Sequence, residues 1–188
     1  GPYFSSVAFA AQLLLALADE AACAEYLPTI ADGSLLATVA IAEPGRRWEP
    51  STATVVATQA RGGWAIDGVK TVVVDAMTAD LLLVLANTPG GLGVFAVDAR
   101  ADGVVRSALP PLDLTRRIAE VTFAGAMGRR LGNSADCSAH LSVALDHAVT
   151  AVAAEQVGGA DACLEMAVQY AKTRMQFGRP IGSFQAVK

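Results

Sequence analysis

The chain has 188 residues, of which 53% are hydrophobic and only 6% aromatic, and its net charge is −4. This length suffices for one good core or two small ones, packed mainly by Ala, Val and Leu. The acidic balance, with no run of Lys and Arg, argues against a nucleic-acid partner. The apolar run at 7–18 is too short to cross a bilayer, so no membrane span is predicted.

Residue types that build disulfide or metal sites are sparse. Three cysteines, Cys23, Cys137 and Cys163, are scattered without CxxC spacing. They argue against a disulfide framework and against zinc, and they fit a reducing compartment such as the cytoplasm. His140 and His147 are seven residues apart, but no ligand set joins them. We therefore predict no metal site.

The N-terminal region predicts one helix and a connector. Residues 3–25 are rich in Ala and Leu, and Ser5 or Ser6 can cap a helix there. The helix is apolar nearly all round, so we expect it to be buried on several sides. Pro28 punctuates the connector at 26–34.

From Leu35 the pattern changes to short strands. They are separated by Gly, Asp, Asn or Pro, with no helix between them, which predicts an antiparallel barrel or sandwich. Asp67-Gly68 predicts a two-residue hairpin. No GxGxxG follows a strand, so a Rossmann unit is excluded. The candidate strands are 36–42, 52–60, 63–67, 69–75, 80–87, 92–98, 103–109 and 118–124.

From about Ser134 to Phe177 the pattern is helical, with a break near Gly158-Gly159 left open. Beyond it, Gly178 can end the helix, and Pro180 prevents its continuation. The chain is therefore α+β, in the order helix, β domain, long helix.

The segment after the long helix concentrates ligand-binding residue types. A cationic side chain, amides and two aromatic rings crowd a helix–turn–helix corner, where Ser183 can cap a new helix beginning at Phe184. Such a corner suits a ligand that carries phosphate or adenine.

This corner resembles the start of the C-terminal helical domain of acyl-CoA dehydrogenases, which are flavin enzymes of fatty-acid β-oxidation. The matching positions are Tyr170-Ala171, Arg174, Gln176-Phe177-Gly178, Pro180-Ile181 and Phe184-Gln185. The resemblance implies that Arg174, Phe177 and Gln185 contact the FAD of a neighbouring subunit.

The resemblance extends over essentially the whole chain. It implies the end of an N-terminal helical domain at 1–34, a middle β domain at 35–132 and the start of a C-terminal helical domain at 133–188. The fold would then be that of an acyl-CoA dehydrogenase, with a C-terminal helical bundle incomplete in this chain. A dimer or tetramer is expected, because the long helix should pack on its bundle and on a neighbour.

The β domain matches the family and also departs from it. Residues 40–45, Ala-Ile-Ala-Glu-Pro-Gly, resemble the family's Thr-Glu-Pro flavin loop, with Ala42 in the place of the Thr. The backbone of Ile41 and Ala42 can still bind the flavin. Residues 46–49, Arg-Arg-Trp-Glu, stand where Gly-x-Gly-Ser-Asp is usual.

The second flavin strand resembles the family's Asn-Gly-x-Lys-x-Trp-Ile-Thr. Here Gly68 and Lys70 are retained, whereas Val72 replaces the Trp and Val74 the Thr. Several polar and aromatic flavin partners are thus missing from this half of the site.

The resemblance implies the α,β-dehydrogenation of an acyl-CoA thioester to a trans-2-enoyl-CoA. A Glu base, expected beyond Lys188, would remove the α-proton while FAD accepts the β-hydride, and an electron-transfer flavoprotein would reoxidise the flavin. The position of a minority alternative base is Ala148. No catalytic residue is therefore expected in this segment, and oxygen as the acceptor is not excluded. The alternative is a non-catalytic partner subunit that completes a shared FAD site in a heterotetramer.

Overall fold

The computed structural model describes residues 1–45 and 53–187. The chain divides into two compact units, Gly1–Ala148 and Val149–Lys188. The first contains the N-terminal helices, the sheet and the beginning of the long helix. The second contains the rest of that helix and the corner that follows it.

Two helices open the first unit. A π-helical segment, Phe4–Ala10, continues directly as α1, Ala11–Leu17. The chain then turns at Ala18, whose φ of 51° is left-handed. Helix α2, Glu20–Ala31, follows.

The prediction of a single helix at 3–25 with a connector at 26–34 is therefore wrong. Asp19 begins a second helix, because its side chain accepts a hydrogen bond from the Ala22 N–H at 3.0 Å. That helix continues through Pro28, so most of the expected connector is helical.

Over its described residues, the middle of the chain forms a seven-stranded sheet, and the expected β-rich domain is confirmed. The strands are β1 (Ala37–Ala40), β2 (Val56–Ala60), β3 (Gly63–Val74), β4 (Leu81–Thr88), β5 (Gly91–Asp98), β6 (Val104–Leu109) and β7 (Ile118–Leu131). Strands β2, β3, β7, β5 and β4 pair in a ring that closes on itself, while β1 pairs with β4 and β6 with β7.

The sheet is not wholly antiparallel, which corrects the expectation. β1 runs parallel to the first half of β4, and Val56 of β2 pairs in parallel with Asn87 at its end. β1 and β2 therefore pair in parallel with different parts of the same strand. The remaining pairings are antiparallel.

Strand alternation divides the buried residues into two cores. Along β4, Leu81, Leu83 and Leu85 pack with the N-terminal helices and the start of the long helix. Leu82 and Val84 face the other way, into a core drawn from all five strands of the ring. The second core is therefore the interior of the barrel.

The predicted hairpin at Asp67-Gly68 is also wrong, since β3 is continuous through it. The register with β7 shifts between Ile66 and Asp67, which marks a bulge. The Asp67 carboxylate accepts the Gly125 N–H at 2.8 Å. Asp67-Gly68 has the composition of a turn, but in this strand it forms a bulge, and β3 is paired with β7 on both sides of it.

The long helix α3, Ser138–Thr173, is continuous, with no break at Gly158-Gly159. It ends earlier than the predicted Phe177. Among the described residues, no helix is long and apolar enough to span a membrane.

The second unit ends in a two-stranded hairpin, β8 (Met175–Gln176) and β9 (Arg179–Pro180), followed by a 3-10 turn at Ile181–Ser183. The predicted helix at Phe184 is absent from the residues described up to Val187. The Ser183 hydroxyl donates to the Pro180 carbonyl at 2.7 Å rather than capping a helix.

Candidate functional site

The segment after β1 is held against β3 by its carbonyl groups. Ile41 is buried and Ala42 is half-buried. The Lys70 ammonium donates to the Ile41 carbonyl at 3.0 Å, and the Thr71 N–H donates to the Ala42 carbonyl at 2.9 Å. Both carbonyls are therefore engaged within the protein, and the backbone of Ile41 and Ala42 is held at a fixed place beside β3.

Glu43, the next residue, forms a buried ion pair with Lys70. Lys70 Nζ lies 2.8 Å from Glu43 Oε1, and the two side chains are 0% and 4% exposed. The carboxylate also accepts the Thr54 N–H at 2.7 Å, the Thr54 hydroxyl and the Val55 N–H at 3.0 Å. These contacts satisfy its acceptor capacity without water.

The hydrogen bonds keep this pair ionised. Burial opposes the charge of Glu43, but donors on Lys70, Thr54 and Val55 outweigh it and lower the pKa of the carboxyl to about 2. Burial lowers the pKa of Lys70, and the Glu43 carboxylate opposes that effect. The segment after β1 therefore carries a fixed internal charge pair.

Val72, two residues after Lys70, has an unusual backbone conformation. Its φ of 53° is left-handed, which is costly for a β-branched residue. The register of β3 with β7 shifts between Lys70 and Val73, so Val72 lies in a second bulge. Its side chain is 46% exposed, whereas those of Lys70 and Val73 are buried.

Ala42 and Thr71 are half-buried and Val72 is exposed, so part of the anchored region is accessible to a ligand. Of these three residues, only Thr71 carries a hydroxyl. Neither Ala42 nor Val72 supplies a hydroxyl or an aromatic ring. The departures at 46–49 lie outside the described residues.

The corner in the second unit is a tight hairpin. Gln176 pairs with Arg179, leaving a two-residue turn at Phe177 and Gly178 with φ values of 50° and 78°. Positive φ at both positions is the geometry of a type I′ turn. Phe177 is 93% exposed at its tip.

A cation and two aromatic rings order the corner. The Arg179 guanidinium carbon lies 4.0 Å from the centre of the Phe184 ring, and the Phe177 ring meets Phe184 edge-on at 6.3 Å. The side chains of Arg174 and Gln185 are exposed. The main chain of Arg174 fixes the turn, since its carbonyl accepts the Ile181 N–H at 2.8 Å.

The predicted site residues thus form two local groups. Ile41 and Ala42 are adjacent in the first unit, and Arg174, Phe177 and Gln185 share the corner of the second. Sequence reasoning missed the role of Glu43 with Lys70. The available signal was a lysine within the valine-rich second half of β3.

Within the residues described, no cluster of three or more His, Cys, Asp or Glu could hold a metal ion. Ala148, at the alternative base position, is buried and has no titratable group.

Comparison with known proteins identifies the chain. The family described as "Acyl-CoA dehydrogenase, C-terminal domain" matches residues 139–188. Acyl-CoA dehydrogenase FadE27 of Mycobacterium tuberculosis is 33% identical over 189 residues, covering 99% of this chain and 48% of FadE27. The chain belongs to the acyl-CoA dehydrogenase family. It spans about half the length, or less, of the curated family members that it matches.

Solved structures agree with this family membership. The Tcur3481–Tcur3483 steroid ACAD is 36% identical with a TM-score of 0.77, and the match covers 94% of this chain and 47% of that one. A glutaryl-CoA dehydrogenase from Mycobacterium smegmatis, determined in complex with FADH2, has a TM-score of 0.90. This match covers 98% of this chain and 49% of that one, and at 20% identity it shows the shared fold.

Proposed function

We propose that this acyl-CoA dehydrogenase family member is part of an FAD-dependent enzyme that converts an acyl-CoA thioester to a trans-2-enoyl-CoA. The observation that carries the proposal is the segment after β1, whose backbone Lys70 and Thr71 hold in place; its N–H groups at Ile41 and Ala42 would bind the flavin ring. The FADH2-bound relative with the same fold supports FAD as the cofactor. FAD, when bound, supplies the two-electron redox step.

The two local groups would act on different parts of the cofactor. Ile41 and Ala42 would bind the flavin ring of their own chain. Arg174, Phe177 and Gln185 would contact the FAD of a neighbouring subunit, for which an exposed guanidinium and an exposed aromatic ring are suitable. The enzyme would therefore be a dimer or tetramer. An electron-transfer flavoprotein is the proposed acceptor, and the proposed base is a Glu outside this segment.

A second candidate function is favoured by the departures in the β domain. Ala42, Val72 and Val74 lack the hydroxyl and aromatic groups of the family's flavin strands. The Tcur3481–Tcur3483 steroid ACAD, which is named for two proteins, is 36% identical to this chain. In this alternative, the chain is a non-catalytic subunit that completes a shared FAD site in a heterotetramer.

A visible absorption spectrum distinguishes these functions. The protein is purified alone and after co-expression with the product of a neighbouring gene, and flavin is counted per chain. Flavin bound to the lone protein, with reduction on addition of an acyl-CoA, supports the first function. Flavin bound only in the co-purified complex supports the second, and no flavin in either sample contradicts both.

A further inference from the structure

A single buried ammonium joins both sides of Ala42 to the barrel. Lys70 Nζ donates to the Ile41 carbonyl at 3.0 Å, before Ala42, and to Glu43 Oε1 at 2.8 Å, after it. The next N–H along β3, that of Thr71, holds the Ala42 carbonyl itself. Three consecutive residues of the segment are thus held by two consecutive residues of β3.

The Glu43 carboxylate also binds the chain that leads into β2. Glu43 accepts the main-chain N–H groups of Thr54 and Val55, so its carboxylate connects β3 to the chain that leads into β2. Lys70 is completely buried and extends from β3 towards the segment after β1. The carboxylate and the ammonium therefore determine where the backbone at Ile41 and Ala42 lies.

Stability alone is a poor explanation for such a pair. Removing two charges from water is costly, and apolar residues of similar volume often stabilise a core as well or better. What apolar residues cannot do is fix a main-chain carbonyl in one position, because they have no hydrogen-bond donor. The arrangement therefore favours a role in the conformation of the segment.

We propose that Lys70 and Glu43 are positioning residues that hold the N–H groups of Ile41 and Ala42 in the geometry that binds the flavin ring. This inference rests on the proposed function. Neither side chain is exposed, so both act through the backbone of the segment. The ligand class is a planar heterocycle with hydrogen-bond acceptors along one edge.

The test compares Lys70→Met with a matched control, Thr38→Val. The Thr38 hydroxyl also ties β1 to β3, by donating to the Val74 carbonyl at 2.6 Å, and this hydrogen bond does not involve residues 41–45. FAD affinity is measured by flavin fluorescence, and hydrogen exchange is measured for the amides of 41–43 and 45, since Pro44 has none. We expect Lys70→Met to weaken FAD binding by about tenfold or more and to speed exchange in the segment. Thr38→Val should do neither.

Two further variants keep the proposal testable. Lys70→Arg retains a cationic donor and should recover part of the FAD affinity that Lys70→Met loses. If Lys70 only filled space, Lys70→Arg would bind FAD no better than Lys70→Met. If Lys70→Met does not fold, Glu43→Gln removes the charge at nearly constant volume and is measured instead.

The outcomes separate this proposal from the proposed function. Unchanged exchange at 41–45 in Lys70→Met overturns the positioning role, whatever happens to FAD. An equal loss of affinity in Thr38→Val also overturns it, because a general loss of stability would then explain both variants. If the unsubstituted protein binds no FAD, the proposed function fails, and the exchange measurement alone decides whether the pair positions the segment.

Discussion

Lys70 Nζ donates to Glu43 Oε1 at 2.8 Å, and this contact joins β3 to the chain that follows β1, 27 residues earlier. Both side chains are almost wholly removed from water. In that environment the charge of either partner is tolerable only while the other is present. The consequences can be measured as stability and as pH dependence.

Breaking the pair should be costly. We expect Lys70→Met to lower the free energy of unfolding by about 3–5 kcal/mol, because it leaves the Glu43 carboxylate buried without its counter-ion. The double variant Lys70→Met, Glu43→Leu should lose less than the sum of the single losses. Urea unfolding measures all of these values. Additive losses would show that the pair is not coupled.

An exposed pair provides the control for that experiment. Arg129 and Glu25 are 2.7 Å apart, with side chains 44% and 54% exposed. Since solvent screens such pairs, Glu25→Gln should change the free energy of unfolding by only about 0.5 kcal/mol or less. A loss as large as that of Lys70→Met would contradict the role of burial.

Acid should remove the contribution of Glu43. Its pKa is lowered from 4.5 to about 2 in the folded protein. The stabilisation is therefore fully present above about pH 4.5 and is lost as the pH falls towards about 2. We expect the difference in unfolding free energy between the protein and Glu43→Gln to shrink over this range, by on the order of 3 kcal/mol. A constant difference would contradict the assigned pKa.

The sequence predicted the order of helices and strands but not the long-range contacts that form the barrel. Strand alternation and short turns predicted the β domain between helices. Asp67-Gly68, however, has the local chemistry of a hairpin, and only the pairing of β3 with β7 on both sides of it makes a bulge. Local propensity could not show this, because the deciding partners, Ala124 and Ala126 of β7, lie far along the chain.

The candidate site shows the same division. Phe177 and Gly178 are neighbours in a turn, so their proximity could be predicted, although the end of the helix was placed four residues too late. Lys70 and Glu43 meet only because the segment after β1 lies against β3 in the folded chain, where the Thr71 N–H donates to the Ala42 carbonyl. A lysine among the valines of β3 indicates that a buried partner exists, but it does not identify that partner.

Gly68 should tolerate no side chain. Its φ is 132°, and a Cβ would lie 2.8 Å from Val55 Cγ2 and 3.1 Å from Val55 Cα. We expect Gly68→Ala to destabilise the protein by about 1–3 kcal/mol. Gly158→Ala is the matched control, since Gly158 is helical with nothing within 4 Å of its Cβ position. It should stabilise α3 by about 0.5–1 kcal/mol. Thermal unfolding followed by circular dichroism compares the two variants, and equal effects would contradict this account.

Replacing Val72 with glycine should stabilise the protein. A left-handed φ costs a residue with a Cβ about 1–2 kcal/mol, more than the backbone entropy that glycine loses. We expect Val72→Gly to raise the free energy of unfolding by about 1 kcal/mol, whereas Val72→Ala, which keeps a Cβ, should gain less. Urea unfolding measures both. A loss of stability in Val72→Gly would show that the contacts of the half-exposed valine outweigh the strain.

Substitution of Phe177 should change FAD affinity without lowering the stability of the hairpin. Its φ of 50° suits Asn better than Phe, so Phe177→Asn should leave the hairpin intact or stabilise it. Because Asn lacks the exposed ring, FAD affinity of the assembled protein should fall by about threefold to tenfold. Phe177→Tyr retains a ring and should bind FAD as the unsubstituted protein does. Fluorescence titration with FAD measures these affinities, and circular dichroism checks the fold. If Phe177→Asn binds FAD unchanged, the ring at the tip of the hairpin does not contact the cofactor, and the assignment must pass to Arg174 and Gln185 alone.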